Sequence, residues 1–336
     1  MKHALLVKMS SLGDVVHALP AVSDAAAQGW TFDWVVEEAF ADIPALHPAV
    51  KQVLPIAWRR WRKSLLTSRA EMRGFKQALQ AQEYSVIIDS QGLLKSAAVA
   101  GLAQGPTIGF SLRTARESWS AFAYRQRVLV PQQQHAIVRQ RQLFAAALGY
   151  PLPSSPALGV DRTREPVRQV FLLHGTTWAS KHWPDMMWAE LIRLVKADGY
   201  EAMVTWGDDN ERARAEHLAQ FGATVLPRVS IAELADRLSA SALVVTVDSG
   251  LGHLSAALGV PTIGLYGATD GELTGCHGAN AINLQGTAHC APCLRKTCKR
   301  YQGEEILFQE QAVQPPCFGA VTPASVWTRA QDMLCA

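Results

Sequence analysis

Short apolar blocks recur along the chain and are separated by polar stretches or by segments of helical period. Ala4–Val7, Thr31–Val36, Val53–Ile56, Ser85–Ser90, Thr107–Phe110 and Arg127–Val130 have the length and the β-branched or aromatic content of buried strands. Between them, Pro20–Gln28, Leu93–Leu102 and Val138–Leu148 carry the spacing of helices, with Pro20 suited to a first turn. The alternation breaks at Pro151–Pro156, a Pro/Ser stretch that reads as a linker. It then restarts. Strands are expected at Gln169–Leu173, Glu201–Thr205, Ala223–Leu226, Ala242–Val247 and Val260–Tyr266. Helices are expected at Pro184–Lys196, Asn210–Phe221, Ile231–Leu238 and Leu254–Gly259, and a last one at Pro323–Leu334.

Strands alternating with helices define an α/β protein with mostly parallel sheets. The pattern predicts two doubly wound, Rossmann-like domains, residues 1–155 and 156–322, facing across a cleft. The terminal helix, 323–336, could pack back on the N-terminal domain. A length of 336 residues is enough for two cores. Apolar residues at 49% and charged residues at 18% are globular values, and the net charge of +3 does not by itself argue for nucleic acid. No apolar run approaches the roughly 20 residues that span a bilayer. The apolar part of Met1–Lys8 is too short for a signal peptide. The expected setting is the cytoplasm, with reduced cysteines.

The polar loops at the strand ends carry the candidate chemistry, because open parallel sheets bind ligands at that edge. Ser10–Asp14 places Asp14 on a glycine loop, as a helix cap or as a general base. His174–Pro184 brings Thr176, Thr177 and Lys181 between a strand and a helix, which suits a pyrophosphate; a solvated loop is the plainer reading. Trp206–Glu211 offers Glu211 for sugar or ribose hydroxyls. Asp248-Ser249-Gly250-Leu251-Gly252-His253 opens a helix whose N–H groups suit a phosphate, or is an ordinary capped turn. Neither Gly-x-Gly-x-x-Gly nor Walker A is present in these loops, which disfavours dinucleotide and P-loop chemistry.

Two further clusters stand out. Trp58–Lys63 holds Arg59, Arg60, Arg62 and Lys63 with Trp58 and Trp61. The arginines suit phosphates or carboxylates and the tryptophans a bilayer interface; a solvated basic face is the alternative. Arg113, Arg116, His135, Arg139 and Arg141 could widen the patch. Cys290, Cys293, Cys298 and Cys317 could hold a structural zinc, although the spacing of a zinc ribbon is missing and reduced thiols are the ordinary alternative.

Taken together, these pieces resemble the lipopolysaccharide heptosyltransferases of glycosyltransferase family 9, and within them the heptosyltransferase I branch. The resemblance rests on Val7–Pro20, Phe32–Glu38, Arg59–Lys63, Ile88–Ser96, Thr114–Glu117, Lys181–Pro184 and Asp248–His253, in order over about the first 270 residues. The cysteine segment is closer to other members of the wider family. The resemblance implies a GT-B fold and inverting transfer of L-glycero-D-manno-heptose from ADP-heptose to a Kdo residue of Kdo-lipid A. It places Asp14 as catalytic base. It places Thr176, Thr177, Lys181, Glu211, Asp248, Ser249, Gly250 and His253 on the donor, and Arg59, Arg60, Arg62, Lys63 and Arg116 on the acceptor, with His135 beside them. Ser249 is threonine and Gly252 serine in familiar relatives, so one possible hydrogen bond is lost at Gly252. No cofactor, divalent metal or nucleic acid is expected. The enzyme would sit peripherally on the cytoplasmic surface of the inner membrane. Alternatives are a type II or III heptosyltransferase with a later core acceptor, a GT-B nucleotide-sugar epimerase or hydrolase, and a non-catalytic binding protein.

Overall fold

The structure, a computed structural model, describes residues 2–64, 66–155, 165–299 and 306–335. The chain forms two compact units, Met1–Val160 and Asp161–Ala336. The first contains β1 (His3–Val7), α1 (Leu12–Val16), α2 (Leu19–Ala26), β2 (Thr31–Glu37), α3 (Asp42–Ala45), β3 (Val50–Ile56), α4 (Trp58–Trp61), α5 (Arg69–Leu79), β4 (Val86–Asp89), α6 (Leu94–Ala100), β5 (Thr107–Phe110), β6 (Gln126–Val128) and α7 (Ala136–Leu148). Its six-stranded sheet has the order β3-β2-β1-β4-β5-β6. All its pairings are parallel, for example Leu6 beside Trp34 and beside Ile88. Helices cover both faces of such a sheet, so its central strands are apolar on both sides. Leu5, Val7, Val35 and Ile87 are accordingly fully buried.

The second unit contains β7 (Val167–Leu173), α8 (Asp185–Ala197), β8 (Glu201–Val204), α9 (Asp209–Ala219), β9 (Thr224–Val225), α10 (Ile231–Ser239), β10 (Ser241–Val247), α11 (Gly250–Ala257), β11 (Thr262–Tyr266), α12 (Gly271–Thr274) and β12 (Ala281–Gln285). A small hairpin, β13 (Leu307–Phe308) with β14 (Gln311–Ala312), and α13 (Pro323–Cys335) follow. The main sheet has the order β12-β11-β10-β7-β8-β9. Both sheets therefore follow the Rossmann order. Each has one point where the strand order reverses, between β1 and β4 and between β7 and β10, and ligands of such sheets bind at that point.

Several elements differ from expectation. The helix after β10 starts at Gly250, not Leu254, because Ser249 caps it: the Ser249 hydroxyl accepts from Gly252 N–H at 3.3 Å. Gly259 follows it with φ +74°, a left-handed conformation that favours glycine. α5 was not anticipated: its narrow apolar stripe of Met72, Phe75 and Leu79 packs on the core but lies among charged residues, and only Leu79 is fully buried. The terminal helix belongs to the second unit. Val326, Trp327 and Ala330 of α13 join the core of the second unit with Trp183 and Trp188. Trp327 Nε1 donates to Asp198 Oδ2 at 2.8 Å.

Arg141 also departs from its expected role. It is 3% exposed and pairs with the buried Asp24 at 2.6 Å, while its Nη2 donates to the carbonyls of Pro153 and Ser155. The guanidinium thus ties α7 to α2 and to the chain leaving the unit, and does not belong to a surface patch. Asp24→Ala leaves that cation buried without its counter-charge. The expected loss is about 3–5 kcal/mol, as for other broken buried pairs, read as a lowered urea midpoint.

Candidate active site

The reversal point of the first unit is built by the loops after β1 and β4. Asp89 ends β4, and its buried carboxylate accepts from Gln91 N–H (2.9 Å), Gly92 N–H (3.2 Å), Ser96 Oγ (2.8 Å) and Tyr124 OH (2.7 Å). Burial pushes this carboxyl up, and those four donors pull against it. The loop so fixed aims Gln91 at the neighbouring one. Gln91 Oε1 accepts from Met9 N–H (2.8 Å) and Ser10 N–H (3.1 Å), and its Nε2 donates to Ser10 O.

This clamp presents Ser11 and Asp14. Asp14 Oδ2 accepts from both Ser11 N–H (2.9 Å) and Ser11 Oγ (3.0 Å), so the capping role holds. Its other oxygen lies 3.7 Å from Lys8 Nζ. The Asp14 side chain keeps 32% of its surface, whereas that of Lys8 keeps 5%. Burial pushes Asp14 up, but Lys8 and the two Ser11 hydrogen bonds outweigh it and hold the carboxyl below its usual value. Lys8 is lowered by burial, against the attraction of Asp14 and Asp89.

The basic run lies at the end of β3, two strands from β1, or about 10 Å along the sheet edge. Arg59, Arg62 and Lys63 are exposed. Arg60 is exposed too, but Glu38 (3.1 Å) and Glu71 (2.9 Å) already neutralise it. Trp61 is a core residue, 5% exposed, with its ring edge-on to Phe75 and its Nε1 donating to Glu71. Arg116 stands beyond β5, exposed, and its charge acts on both Lys8 and Asp14. His135 caps α7 through Nδ1, which accepts from Ile137 N–H at 3.2 Å, and its ring meets His17 edge-on. The predicted acceptor residues are thus spread along one sheet edge and do not form one cluster. A cavity of about 400 Å³ lined by Trp30, Ser85, Thr107 and Arg125 lies at the opposite, amino-terminal ends of β4–β6, away from Asp14.

The second reversal point gathers the predicted donor residues. Lys181 Nζ pairs with Asp248 Oδ2 at 2.7 Å and lies 4.4 Å from the centre of the Trp178 ring. Thr176 Oγ1 donates to Asp248 O at 3.1 Å, and Thr177 is exposed on the same loop. His253 Nε2 is 3.7 Å from Asp248 Oδ1. Glu211 Oε2 accepts from Gly207 N–H at 2.7 Å. A Cβ on Gly175 would come within 2.5 Å of Glu211 Oε1, so this glycine lets α9 meet the β7 loop. Gly252 has a reason of its own: a Cβ there would run into the buried Thr246 side chain. The position has no room for a serine.

Two residues of this region escaped sequence reading. Thr269, after β11, donates to Asp248 Oδ2 at 2.6 Å. Gln285 donates to the carbonyls of Gly267 and Thr269 and accepts from Gly271 N–H, which fixes the Thr269 loop. Only a lone threonine and a lone glutamine mark them in the sequence.

The cysteine segment braces the same loops. Ser180 N–H donates to Lys296 O at 3.1 Å, and Leu294 N–H to Ala268 O at 2.8 Å. Cys290, Cys293, Cys298 and Cys317 line one small cavity with Ser180, Gly267 and Ala268. All four are free thiols, and burial, with the other three nearby, pushes Cys317 up to about 12. Among the described residues, no group of three or more His, Cys, Asp or Glu is arranged to hold a metal ion.

Charge at this site follows from burial and pairing. Burial pushes Asp248 up, but the neighbouring His253 and the charge of Lys181 outweigh it and hold the carboxyl well below its usual range. Burial pushes His253 down, yet its bonds to Asp248 and Cys276 raise it to about 9. At neutral pH the site therefore holds one carboxylate between two cations. His174, on the Lys181 loop, is instead pushed down to about 4 by burial and by Arg214, and is neutral.

Two Rossmann-order sheets, a cationic loop set at one reversal point and a carboxylate at the other define a glycosyltransferase of the GT-B class. The sequence profile of glycosyltransferase family 9 (heptosyltransferase) matches residues 72–302. The lipopolysaccharide heptosyltransferase 1 of Pseudomonas aeruginosa is 46% identical over 99% of this chain and 98% of its own. The structure of Escherichia coli heptosyltransferase WaaC with ADP superposes with a TM-score of 0.79 at 43% identity, over 84% of this chain and 92% of that one. The same enzyme with ADP-2-deoxy-2-fluoro heptose gives 0.76 at 42% identity, over 85% and 93%. The chain belongs to glycosyltransferase family 9, the heptosyltransferases.

The raised His253 gives a signed expectation. Its folded value of about 9 exceeds the ordinary 6.5, so its contribution to stability is complete below about pH 6.5 and is lost as pH rises through 9. His253→Gln should flatten the decline in stability between pH 6.5 and 9, measured by denaturant unfolding at a series of pH values. A decline as steep as that of the parent chain would mean that His253 is neutral when folded.

Proposed function

We propose that the enzyme transfers L-glycero-D-manno-heptose from ADP-heptose, with inversion, to a Kdo residue of Kdo-lipid A, at the inner-core stage of lipopolysaccharide assembly. The observation that carries this reading is the Lys181–Asp248–His253 set at the β7/β10 reversal point, with Thr176 and Thr177 beside it. The similarity to a heptosyltransferase described with ADP and with a fluorinated ADP-heptose supports the choice of donor.

In this reaction the ADP diphosphate gains negative charge as the anomeric C–O bond breaks. Lys181, the two threonine hydroxyls and the first N–H groups of α11 meet that charge from fixed positions. Asp248 holds Lys181, and Glu211 takes sugar or ribose hydroxyls. The Asp14 carboxylate takes the proton of the acceptor hydroxyl as its oxygen bonds to the anomeric carbon. Arg59, Arg62, Lys63 and Arg116 meet acceptor carboxylates and phosphates. Arg60 serves only where such a group displaces Glu38 or Glu71. Among the described residues no helix is long and apolar enough to cross a membrane, and the lipid-bearing acceptor is met from the cytoplasmic surface of the inner membrane.

Incubation with ADP-heptose and Kdo-lipid A should add the mass of one heptosyl residue to the acceptor. Asp14→Asn should keep ADP-heptose affinity, by calorimetry, and lower turnover about 100-fold or more, the scale of a lost general base. Turnover close to that of the parent would leave Asp14 as a cap alone.

The proposed charge stabilisation also needs no divalent cation. Turnover should persist in EDTA. Loss that magnesium or manganese restores would reassign the diphosphate to a metal. Loss that only zinc restores would point to the Cys290–Cys317 cavity.

A further inference from the structure

The lipid-bearing acceptor proposed above makes it necessary to ask which surface meets a bilayer. Trp61 does not, because it is buried. Exposed aliphatic side chains are scattered, with Leu66 (74%) beside the basic run and Leu294 and Leu307 on the second unit, but the exposed aromatic pair lies elsewhere on the first unit. Trp119 is 73% exposed and Phe122 58%, both on the 3-10 turn Ser118–Ala123, with ring centroids 5.7 Å apart. Leu94 opens α6, is 53% exposed, and its N–H donates to the Glu117 carboxylate at 2.7 Å. Leu129 and Leu112 are exposed as well, and the Ser111 N–H bond to Val128 O holds their segments side by side.

The charge around these side chains is predominantly positive. Arg127 Cζ lies 5.5 Å from the Phe122 ring centre, and its Nε donates to Ala121 O. From residue 92 to 135 the chain carries Lys95, Arg113, Arg116, Arg125 and Arg127 against a single acid, Glu117. That acid accepts the Leu94 N–H and leaves the segment four positive charges in excess.

We propose that Trp119, Phe122, Leu94 and Leu129, flanked by Arg113, Arg116 and Arg127, form the surface by which this protein seats on an anionic bilayer. Indole and phenyl rings settle at the headgroup level, where one side is apolar and the other wet. Arginine lays its apolar stem along such a surface and keeps its charge with the phosphates. A second copy of the chain fits less well. A two-fold contact through this patch would set the arginines against their own copies. An anionic surface supplies the missing opposite charge.

The test uses the whole protein and vesicles that contain no acceptor, so it does not depend on the heptosyl reaction. The parent chain should sediment with vesicles of mixed phosphatidylglycerol and phosphatidylcholine and far less with phosphatidylcholine alone. Sedimentation should fall as salt rises past a Debye length of about 10 Å, near 0.1 M. Trp119→Ser with Phe122→Ser should lose about tenfold in binding, and Arg127→Gln a smaller part of it. Both variants should keep turnover on a delipidated Kdo acceptor, and the double variant should keep the parent's thermal midpoint, because its two side chains are exposed. Vesicle binding by the double variant equal to that of the parent overturns the proposal. So does a parent chain that stays in the supernatant. Loss of a concentration-dependent dimer in the double variant, by light scattering, with vesicle binding unchanged, would assign the patch to a second copy. Absence of heptose transfer with vesicle binding intact would strike the proposed function and leave this surface standing.

Discussion

The buried carboxylate of Asp248 is the constraint on which the second unit's site depends. One residue holds four pieces of chain: the β7 loop through Lys181 and Thr176, its own strand end, α11 through His253, and the β11 loop through Thr269. A carboxylate out of water is tolerated only when its charge is matched and its lone pairs are used. Here two cations match one anion, and the surplus positive charge is fixed in place before any ligand arrives. Preorganised charge of this kind acts on a transition state without a cost of reorientation at the moment of reaction.

The first unit uses the same device with different electrostatics. Asp89 also ends a strand beside the reversal point, and it too is fully buried. Its partners are a phenol, a serine hydroxyl and two N–H groups, all neutral. It therefore organises a loop through neutral donors, while its charge attracts Lys8. The positive charge there comes from Lys8, and Asp14 answers it locally. One reversal point is thus left cationic and suits a diphosphate, whereas the other presents a carboxylate that suits an acceptor hydroxyl.

Much of this was legible in the sequence, for a physical reason. Parallel strands covered on both faces read as apolar runs, so the sheets could be placed from pattern alone. The loops at the reversal points carried Asp14, Lys181 and Asp248 in plain view. What was hidden depended on partners remote in sequence. Gln91 matters because of Ser10, and Thr269 because of Asp248, and neither pairing has a local signature. Trp61 and Arg60 read as surface residues until Glu71 took the indole N–H of one and the charge of the other. Arg141 looked like one more cation until Asp24 buried it. Composition within a short window reports charge and apolarity. It does not report whether another segment has already used them.

The setting of Asp14 suits the weak base that we propose it to be. Lys8 and Ser11 hold its carboxyl below the usual value, so it stays ionised throughout the neutral range. A low value also makes it a poor proton acceptor from a resting hydroxyl. Glycosyl transfer relaxes that demand, because the transition state is oxocarbenium-like and bond breaking runs ahead of attack. The acceptor oxygen becomes acidic only as it bonds to the electron-poor anomeric carbon, and the proton then moves to a carboxylate already in position. The same low value restores the base afterwards. Once the acceptor oxygen has become the glycosidic oxygen and the product has left, Lys8 at 3.7 Å and the two Ser11 donors favour the ionised form, so the proton passes to water. In the proposed reaction the side chain, 32% exposed, gives that proton its route to solvent.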